Sequence, residues 1–366
     1  MPTAISAIGI ASPPYQCTQD ETATRVAKGF HLTEAEAKIL HKVYRASGIE
    51  FRHSVLADYQ REPGAFEFFP NQPDSPFPST ALRMQVYKTH ALGLALDAIK
   101  NCLAQNISVD KNQIKHLITV SCTGMYAPGL DIEIVQSLGL ETSTQRTCVN
   151  FMGCYGAFNG MKVAHAICQA EPHACVLVVS VELCSLHIQK EFTMNNIIAN
   201  ALFADGAAAV LVQNVDDGVR CLRFESFYCD LVAETHQEMA WNIGDSGFEM
   251  ILTAYVSEAI GSGIDYFVKQ LLGRHRNIQE IDYYAIHPGG IKILRACEAA
   301  LNITETDNRF SYDVLRKYGN MSSATILFVL NRIWKQLTVQ DQEKTIFACA
   351  FGPGLTIESM LLKIDA

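Results

Sequence analysis

Three residues that lie far apart in the chain carry side chains suited to nucleophilic acyl chemistry: Cys154, His287 and Asn320. Cys154 stands between two glycines at the start of a segment with helical periodicity. The free N–H groups and the dipole of a helix N-terminus favour a thiolate, so we expect a lowered pKa for this thiol and nucleophilic attack by its sulfur. Cys148, six residues earlier, is interpreted as a packing residue.

His287 and Asn320 are candidate hydrogen-bond donors for the same reaction. His287 ends an apolar segment just before a Pro-Gly-Gly turn, and α/β proteins gather active-site groups at the carboxyl ends of strands. Asn320 lies in the polar sequence GNMSSA inside a helix-period run. Each has a plainer interpretation when taken singly, as a hydrogen-bonded structural histidine or a capping asparagine. With Cys154 they predict a cysteine nucleophile whose thioester oxyanion is held by two donors.

Apolar periodicity predicts the elements that must position these residues. Helix-period segments occur at 33–47, 79–105, 131–138, 155–170, 249–274, 290–301 and 312–337. Short apolar runs at 116–121, 174–181, 207–213, 282–287 and 345–351 predict strands that are buried on both faces. This alternation of strands and helices is typical of a layered α/β domain.

The same order of strand, turn, helix and strand occurs in both halves of the chain. A boundary near the Asp-Asp-Gly sequence at 216–218 would separate them. We therefore predict an N-terminal half, residues 1–217, that carries Cys154. A C-terminal half, residues 218–366, would carry His287 and Asn320.

Composition excludes several classes of protein. With 49% hydrophobic and 18% charged residues, the 366-residue chain is not generally disordered. Its net charge of −9 argues against binding to nucleic acid or to an anionic membrane. No run of eighteen apolar residues occurs, so no membrane span is expected. The twelve scattered cysteines indicate reduced thiols in a cytoplasmic protein, and the histidines show no metal-ligand spacing.

Five ordered motifs resemble one family. They are GCYGAF at 153–158, ALFADGAAAV at 201–210, HPGG at 287–290, YGNMSSA at 318–324 and FGPGLTIE at 351–358. From about residue 32 to residue 362 the chain resembles type III polyketide synthases, the chalcone and stilbene synthase family of the thiolase superfamily. Its departures from the plant pattern resemble a microbial member. The resemblance implies an α/β architecture, the duplicated five-layered α-β-α-β-α thiolase fold, in a homodimer.

The resemblance also implies a reaction. Cys154 would accept an acyl group from an acyl-CoA starter, and malonyl-CoA would then lose CO2 and extend the chain by two carbons. His287 and Asn320 would stabilise the oxyanions. Repeated extension and cyclisation would give a resorcinol, phloroglucinol or pyrone type product. CoA thioesters would be substrates, and no other cofactor is implied.

Further residues match family positions around the substrates. Phe203 matches one gatekeeper between the CoA tunnel and the reaction cavity, and the other falls at Met250, or at Phe248 if the alignment slips by two residues. The resemblance places His187, Cys122 and Ser322 in the cavity, where His187 would either narrow the space or add an acid/base group. Lys42, Arg45, Gly289 and Gly290 are the expected CoA-binding residues.

Two alternatives stay open at this point. A ketoacyl-acyl-carrier-protein synthase III-like enzyme would share the cysteine, histidine and asparagine on the same fold, although GNMSSA and FGPGLT argue against it. A non-catalytic thiolase-fold partner protein would need none of the three residues, yet all three are present.

Overall fold

A computed structural model of the chain describes residues 1–106, 109–232, 238–252, 255–273 and 278–366. Its strands are β1 (Thr3–Ala11), β2 (Tyr15–Thr18), β3 (Phe51–Ser54), β4 (Ile114–Ser121), β5 (Gln145–Asn150), β6 (Cys175–Leu183), β7 (Asp205–Asn214), β8 (Cys221–Leu231), β9 (Met239–Gly244), β10 (Gly247–Leu252), β11 (Tyr283–Ile286), β12 (Thr345–Gly352) and β13 (Thr356–Asp365). Its α-helices are α1 (Gln19–Gly29), α2 (Glu34–Ala46), α3 (Thr80–Leu103), α4 (Leu130–Leu138), α5 (Gly156–Ala170), α6 (Met194–Leu202), α7 (Tyr255–Leu272), α8 (Ile291–Leu301), α9 (Arg309–Tyr318) and α10 (Thr325–Gln336).

Nine strands form one continuous array that divides into two sheets. The strand order is β11-β12-β13-β8-β1-β7-β6-β4-β5. β8 and β1 pair only through Ala4 with Arg223 and Ile5 with Leu222. One sheet is therefore β5-β4-β6-β7-β1, and the other is β11-β12-β13-β8.

The two sheets enclose a central helical layer. Residues of α5 and α10, such as Phe158 and Phe328, pack in one core with the facing sides of both sheets. Along β6, Val176 and Val178 face this core, whereas Leu177 and its alternate neighbours face a second core that includes α3. Residues of α7 and α8 cover the outer face of the other sheet. The order of layers is α-β-α-β-α, as predicted.

Two predicted helices are wrong in extent. The run 312–337 is divided into α9 and α10, because Gly319 has φ +72° and the backbone of Asn320 pairs with that of Leu202 and Ala204. In 249–274, residues 249–252 belong to the hairpin β9–β10, and the helix begins at Tyr255. Arg274 lies outside the described residues.

The boundary predicted at 217/218 falls in the loop between β7 and β8 and stays a proposal.

Among the described helices, none has the length and apolar character needed to cross a membrane.

Candidate active site

Cys154 lies in a 3-10 turn, Gly153–Tyr155, that leads directly into α5. Gly153 has φ +78°, and a Cβ at this position would lie 2.3 Å from Cδ of Pro353. Glycine alone meets both conditions, since other residues rarely adopt this backbone conformation. The turn thereby packs against the loop after β12 and holds Cys154 buried at the helix N-terminus, where the sequence predicted it.

Burial opposes the lowered pKa expected from the helix N-terminus. Desolvation raises the pKa of the Cys154 thiol to about 12, although hydrogen bonds from Ser322 and Asn320 favour the thiolate. The expectation of a lowered pKa is therefore wrong for Cys154 taken alone, because removing the thiolate from water outweighs the nearby donors. Activation requires a partner that takes the proton.

His287 is a buried, neutral imidazole in the same site. It follows β11, and its backbone N–H donates to the carbonyl oxygen of Cys349 at 2.8 Å. Neither ring nitrogen has a hydrogen-bond partner in the part of the chain that the structure describes. Burial lowers its pKa to about 3. A neutral imidazole can accept a proton at one nitrogen and donate from the other.

Asn320 is held by its own loop. Its Oδ1 accepts the backbone N–H of Ser322 at 2.9 Å, and its Nδ2 donates to the carbonyl oxygen of Gly289 at 3.3 Å. An amide nitrogen carries two hydrogens, and the second of them faces the sulfur of Cys154, where a ligand would compete for it. The buried guanidinium of Arg52 donates to the carbonyl oxygens of Asn200 and Phe203, at 2.6 and 2.8 Å, and so fixes the chain that pairs with Asn320.

The structure brings Cys154, His287 and Asn320 together around one cavity, which we call the cysteine cavity. Its free volume is about 30 Å³. The other predicted residues that line it are Phe203, Met250, Cys122, Ser322 and Gly289. Phe248 does not line it, and the residues of β10 that do are Met250 and Leu252.

His187 lies behind the cysteine cavity and serves as a link between segments. Its Nδ1 accepts the backbone N–H of Phe248 at 2.9 Å, and its Nε2 donates to the carbonyl oxygen of Thr123 at 2.8 Å. The ring stacks on Phe248 with centroids 4.2 Å apart. Burial lowers its pKa to about 3. With both nitrogens bonded, His187 has no free nitrogen for acid/base chemistry in the cavity.

Sequence analysis missed several residues at or beside the site, among them Trp241 and Glu182. Trp241 lines the cysteine cavity, and its Nε1 donates to the carbonyl oxygen of Cys122 at 2.8 Å. Glu182 is fully buried and accepts hydrogen bonds from Thr123 Oγ1 at 2.6 Å and from Ser323 Oγ. Burial raises the pKa of this carboxyl group. A lone glutamate directly after the apolar run 174–181 was a signal for it.

A larger space, the outer cavity, adjoins the cysteine cavity. Its volume is about 590 Å³, and the two share Leu252, Gly289 and Ile293. Gly290 also lines it. Lys42 and Arg45 lie outside the outer cavity and are exposed on α2. Nε of Arg45 is 3.0 Å from Oδ1 of Asp20.

Within the described residues, no group of three His, Cys, Asp or Glu side chains could hold a metal ion.

Comparison with known proteins identifies the family. The model of the chalcone and stilbene synthase N-terminal domain matches residues 2–215, and that of the C-terminal domain matches residues 224–365. The chain belongs to the chalcone and stilbene synthase family. Members are type III polyketide synthases, transferases that condense acyl-CoA and malonyl-CoA without a cofactor beyond these substrates.

Microbial proteins are among the similar relatives. The alpha-pyrone synthesis polyketide synthase-like Pks18 of Mycobacterium tuberculosis is 32% identical over 99% of this chain and 92% of its own length. The 1,3,6,8-tetrahydroxynaphthalene synthase of Streptomyces peucetius subsp. caesius is 28% identical over 99% and 93%. The crystal structure of PKS-I from the brown alga Ectocarpus siliculosus is similar with a TM-score of 0.92, at 29% identity over 100% and 98%. The architecture is thus the thiolase fold.

Proposed function

We propose that Cys154, His287 and Asn320 perform the condensing reaction of this type III polyketide synthase. In the loading step, the thiol proton of Cys154 passes to His287 and the sulfur attacks the carbonyl carbon of an acyl-CoA. The bond from that carbon to the CoA sulfur breaks, and CoA leaves with the proton from His287. The acyl group stays on Cys154. The supporting observation is that all three side chains line one buried cavity.

Extension follows with malonyl-CoA. The bond to its carboxylate breaks, CO2 leaves, and the electron pair forms the enolate of acetyl-CoA. A ring N–H of His287 and the amide hydrogen of Asn320 that faces Cys154 donate to the enolate oxygen. Buried, preorganised donors stabilise such an anion more strongly than water does at the same site.

The enolate carbon then attacks the carbonyl carbon of the Cys154 thioester. A C–C bond forms and the bond between the acyl carbon and the Cys154 sulfur breaks. The product is a ketoacyl-CoA two carbons longer than the acyl group that was loaded, and Cys154 is left as a thiolate. Reloading and repetition build the polyketide, which cyclises to a resorcinol, phloroglucinol or pyrone type product. Holding the two thioesters close together in one site supplies much of the rate enhancement over the reaction in solution.

CoA binding is assigned to the outer cavity. Its contact with the cysteine cavity at Gly289 supports a path for the pantetheine arm, with Gly290 beside it. Lys42 is exposed on α2, whose Ala46 lines the outer cavity, and its ammonium would bind a nucleotide phosphate. Arg45 is assigned a smaller part in binding the CoA phosphates, because it already pairs with Asp20.

We also propose a cytoplasmic homodimer built from two thiolase-like halves, residues 1–217 and 218–366. Support for the dimer comes from β5, which lies at the edge of its sheet with mostly exposed residues and leads into the turn of Cys154. An edge strand offers unpaired N–H and C=O groups to a second copy. All twelve cysteines are free thiols, which fits a reducing compartment.

The test separates loading from decarboxylation by measuring CO2 release and polyketide formation with malonyl-CoA and a starter. Cys154→Ala should abolish extension and retain slow decarboxylation, because the enolate donors remain. His287→Ala should lose both activities. Cys229→Ala, which removes an exposed thiol of β8, is the matched control and should keep both. Full polyketide yield from the Cys154→Ala variant would refute the assignment.

A further inference from the structure

The wall of the cysteine cavity contains three thiols, and the proposed reaction uses one of them. Cys122, Cys154 and Cys184 all line the cavity, and each is buried. Cys122 directly follows β4, and Cys184 directly follows β6. A buried cysteine usually behaves as a small apolar residue in a packed core. These three thiols instead face a space that substrates must enter, and two of them have no assigned task.

Cys122 and Cys154 are joined through one hydroxyl group. Sγ of Cys122 lies 2.9 Å from Oγ of Ser322, and the same serine side chain hydrogen-bonds to the Cys154 thiol. Two sulfurs that contact one oxygen at hydrogen-bond distance lie on the order of 5 Å apart. A disulfide needs about 2 Å between its sulfurs. Once the hydroxyl turns aside, rotation about the two Cα–Cβ bonds can close that gap.

The carboxyl group of Glu182 is placed to take the proton of Cys122. Its Oε1 lies 3.4 Å from Sγ of Cys122, and both of its oxygens accept the backbone N–H of Cys122 at 3.1 Å. Burial raises the pKa of this carboxyl group, which makes its ionised form a stronger base. Since a thiol attacks as its thiolate, a neighbouring base favours attack by Cys122. Cys122 therefore has both a base and a second sulfur beside it.

A small oxidant has room beside Cys154. The free volume of about 30 Å³ exceeds the roughly 10–15 Å³ that one water needs, and hydrogen peroxide is little larger than water. The outer cavity of about 590 Å³ adjoins this space. Peroxide reacts with a thiolate, and the proposed proton transfer to His287 supplies one. The property that makes Cys154 an acyl acceptor thus also makes it sensitive to oxidation.

We propose that Cys154 and Cys122 form a reversible disulfide when the synthase is exposed to hydrogen peroxide. This inference rests on the proposed function, because it needs the thiolate of Cys154. That thiolate attacks one peroxide oxygen and the O–O bond breaks. The sulfur becomes a sulfenic acid, and the departing hydroxide takes the proton from His287 and leaves as water.

The second step closes the disulfide. Sγ of Cys122 attacks the sulfenic sulfur of Cys154 and gives its proton to Glu182. The S–S bond forms, the S–O bond breaks, and the hydroxide takes that proton from Glu182 and leaves as water. In sum, the two thiols are oxidised to one disulfide, and one peroxide is reduced to water.

The disulfide stops synthesis and keeps the nucleophile recoverable. A bonded Cys154 cannot accept an acyl group. Without Cys122, a second peroxide would convert the sulfenic acid of Cys154 to a sulfinic acid, which dithiols do not reverse. A dithiol reductant instead opens the disulfide by thiol–disulfide exchange, restores both thiols and is itself oxidised.

The test combines peptide mapping without reductant and an assay of polyketide formation. Wild type, C122S and C184S are reduced, freed of reductant and treated with increasing hydrogen peroxide. Wild type should lose activity, yield a cross-linked Cys122–Cys154 peptide, and regain the activity of its own untreated sample in dithiothreitol. C122S should lose activity without recovery, and its Cys154 peptide should carry the mass of a sulfinic acid. C184S, which removes another thiol of the same cavity, is the matched control and should behave as wild type.

A cross-link between other cysteines would overturn the inference, as would the absence of any cross-link at peroxide concentrations that abolish activity. Full recovery of C122S in dithiothreitol would also overturn it. If C122S does not fold, the peptide maps of wild type and C184S decide the same question. These outcomes leave the proposed function intact, because each sample is compared with its own untreated enzyme. Untreated wild type that forms no polyketide would overturn the proposed function, and this inference with it.

Discussion

Cys154 and His287 are each disfavoured as ions by burial, yet they share one cavity. Under the proposed mechanism, proton transfer would form a thiolate and an imidazolium together, and their opposite charges would stabilise each other. The helix N-terminus and the hydrogen bonds from Ser322 and Asn320 add to the stability of the thiolate. At this scale, we therefore propose that His287 is the group that makes Cys154 reactive.

The first prediction concerns the pH dependence of alkylation. In His287→Gln the Cys154 thiol loses its proton acceptor and the adjacent cation, so its pKa should rise by at least about one unit. Iodoacetamide labelling across a pH series, with peptide mapping, measures this as a profile displaced to higher pH. The exposed Cys229, in β8, is the internal control in the same samples. Identical Cys154 profiles in the two proteins would show that His287 does not activate the thiol.

At the scale of elements, hairpin β9–β10 depends on a neutral His187. Its Nδ1 can accept the Phe248 N–H only when unprotonated. Since the folded pKa is about 3, below the unfolded value of 6.5, the folded chain binds fewer protons than the unfolded chain at acidic pH. This contribution to stability is complete above pH 6.5 and is lost as the pH falls toward 3.

The second prediction follows from that linkage. Between about pH 7 and pH 5, His187 should account for a fall of about 2 kcal/mol in the free energy of unfolding. His187→Gln should remove that part of the fall, as measured by urea unfolding at both pH values. His173→Gln, at an exposed histidine, is the matched control and should behave as wild type. An equal fall in wild type and His187→Gln would mean that His187 is not held neutral by the fold.

The elements show how far sequence reasoning reaches. Buried strands such as β4, β6 and β12 and helices α2, α3 and α5 were predicted, because their apolar periods are unmistakable. Residues 249–252 of β10 were predicted as the start of a helix. The alternation of Phe248, Met250 and Leu252 is typical of a strand, but it extends over only six residues. Trp241 escaped notice because β9 was not predicted at all. Its position depends on cross-strand pairing and on the distant carbonyl of Cys122, which local patterns do not contain.

For the whole molecule, the central layer of α5 and α10 joins the two halves at the site. Cys154 enters from the N-terminus of α5, and the loop with Asn320 precedes α10. His287 comes from the carboxyl end of β11, in the second sheet. The family resemblance predicted this layering, and the doubled pattern in the sequence agrees with it. The single array of nine strands, joined at β1 and β8, depends on contacts between distant segments and was not predicted.

The third prediction concerns assembly. If β5 pairs with β5 of a second copy, Thr147→Arg places two like charges close to the two-fold axis and should weaken the dimer. Sedimentation should give twice the chain mass for wild type and a shift toward the single chain mass for Thr147→Arg. Val339→Arg, at an exposed residue outside β5, is the control and should remain dimeric. A monomeric wild type would contradict the proposed dimer.

The central claim is that Cys154 carries the growing chain in a decarboxylative condensation. Its most direct test is intact-protein and peptide mass spectrometry of wild type incubated with acetyl-CoA and malonyl-CoA, together with analysis of released products. We predict an acetyl adduct on the Cys154 peptide and products that grow by ketide units, with neither in Cys154→Ala. Ketide products from Cys154→Ala, or an adduct confined to another cysteine, would contradict the account.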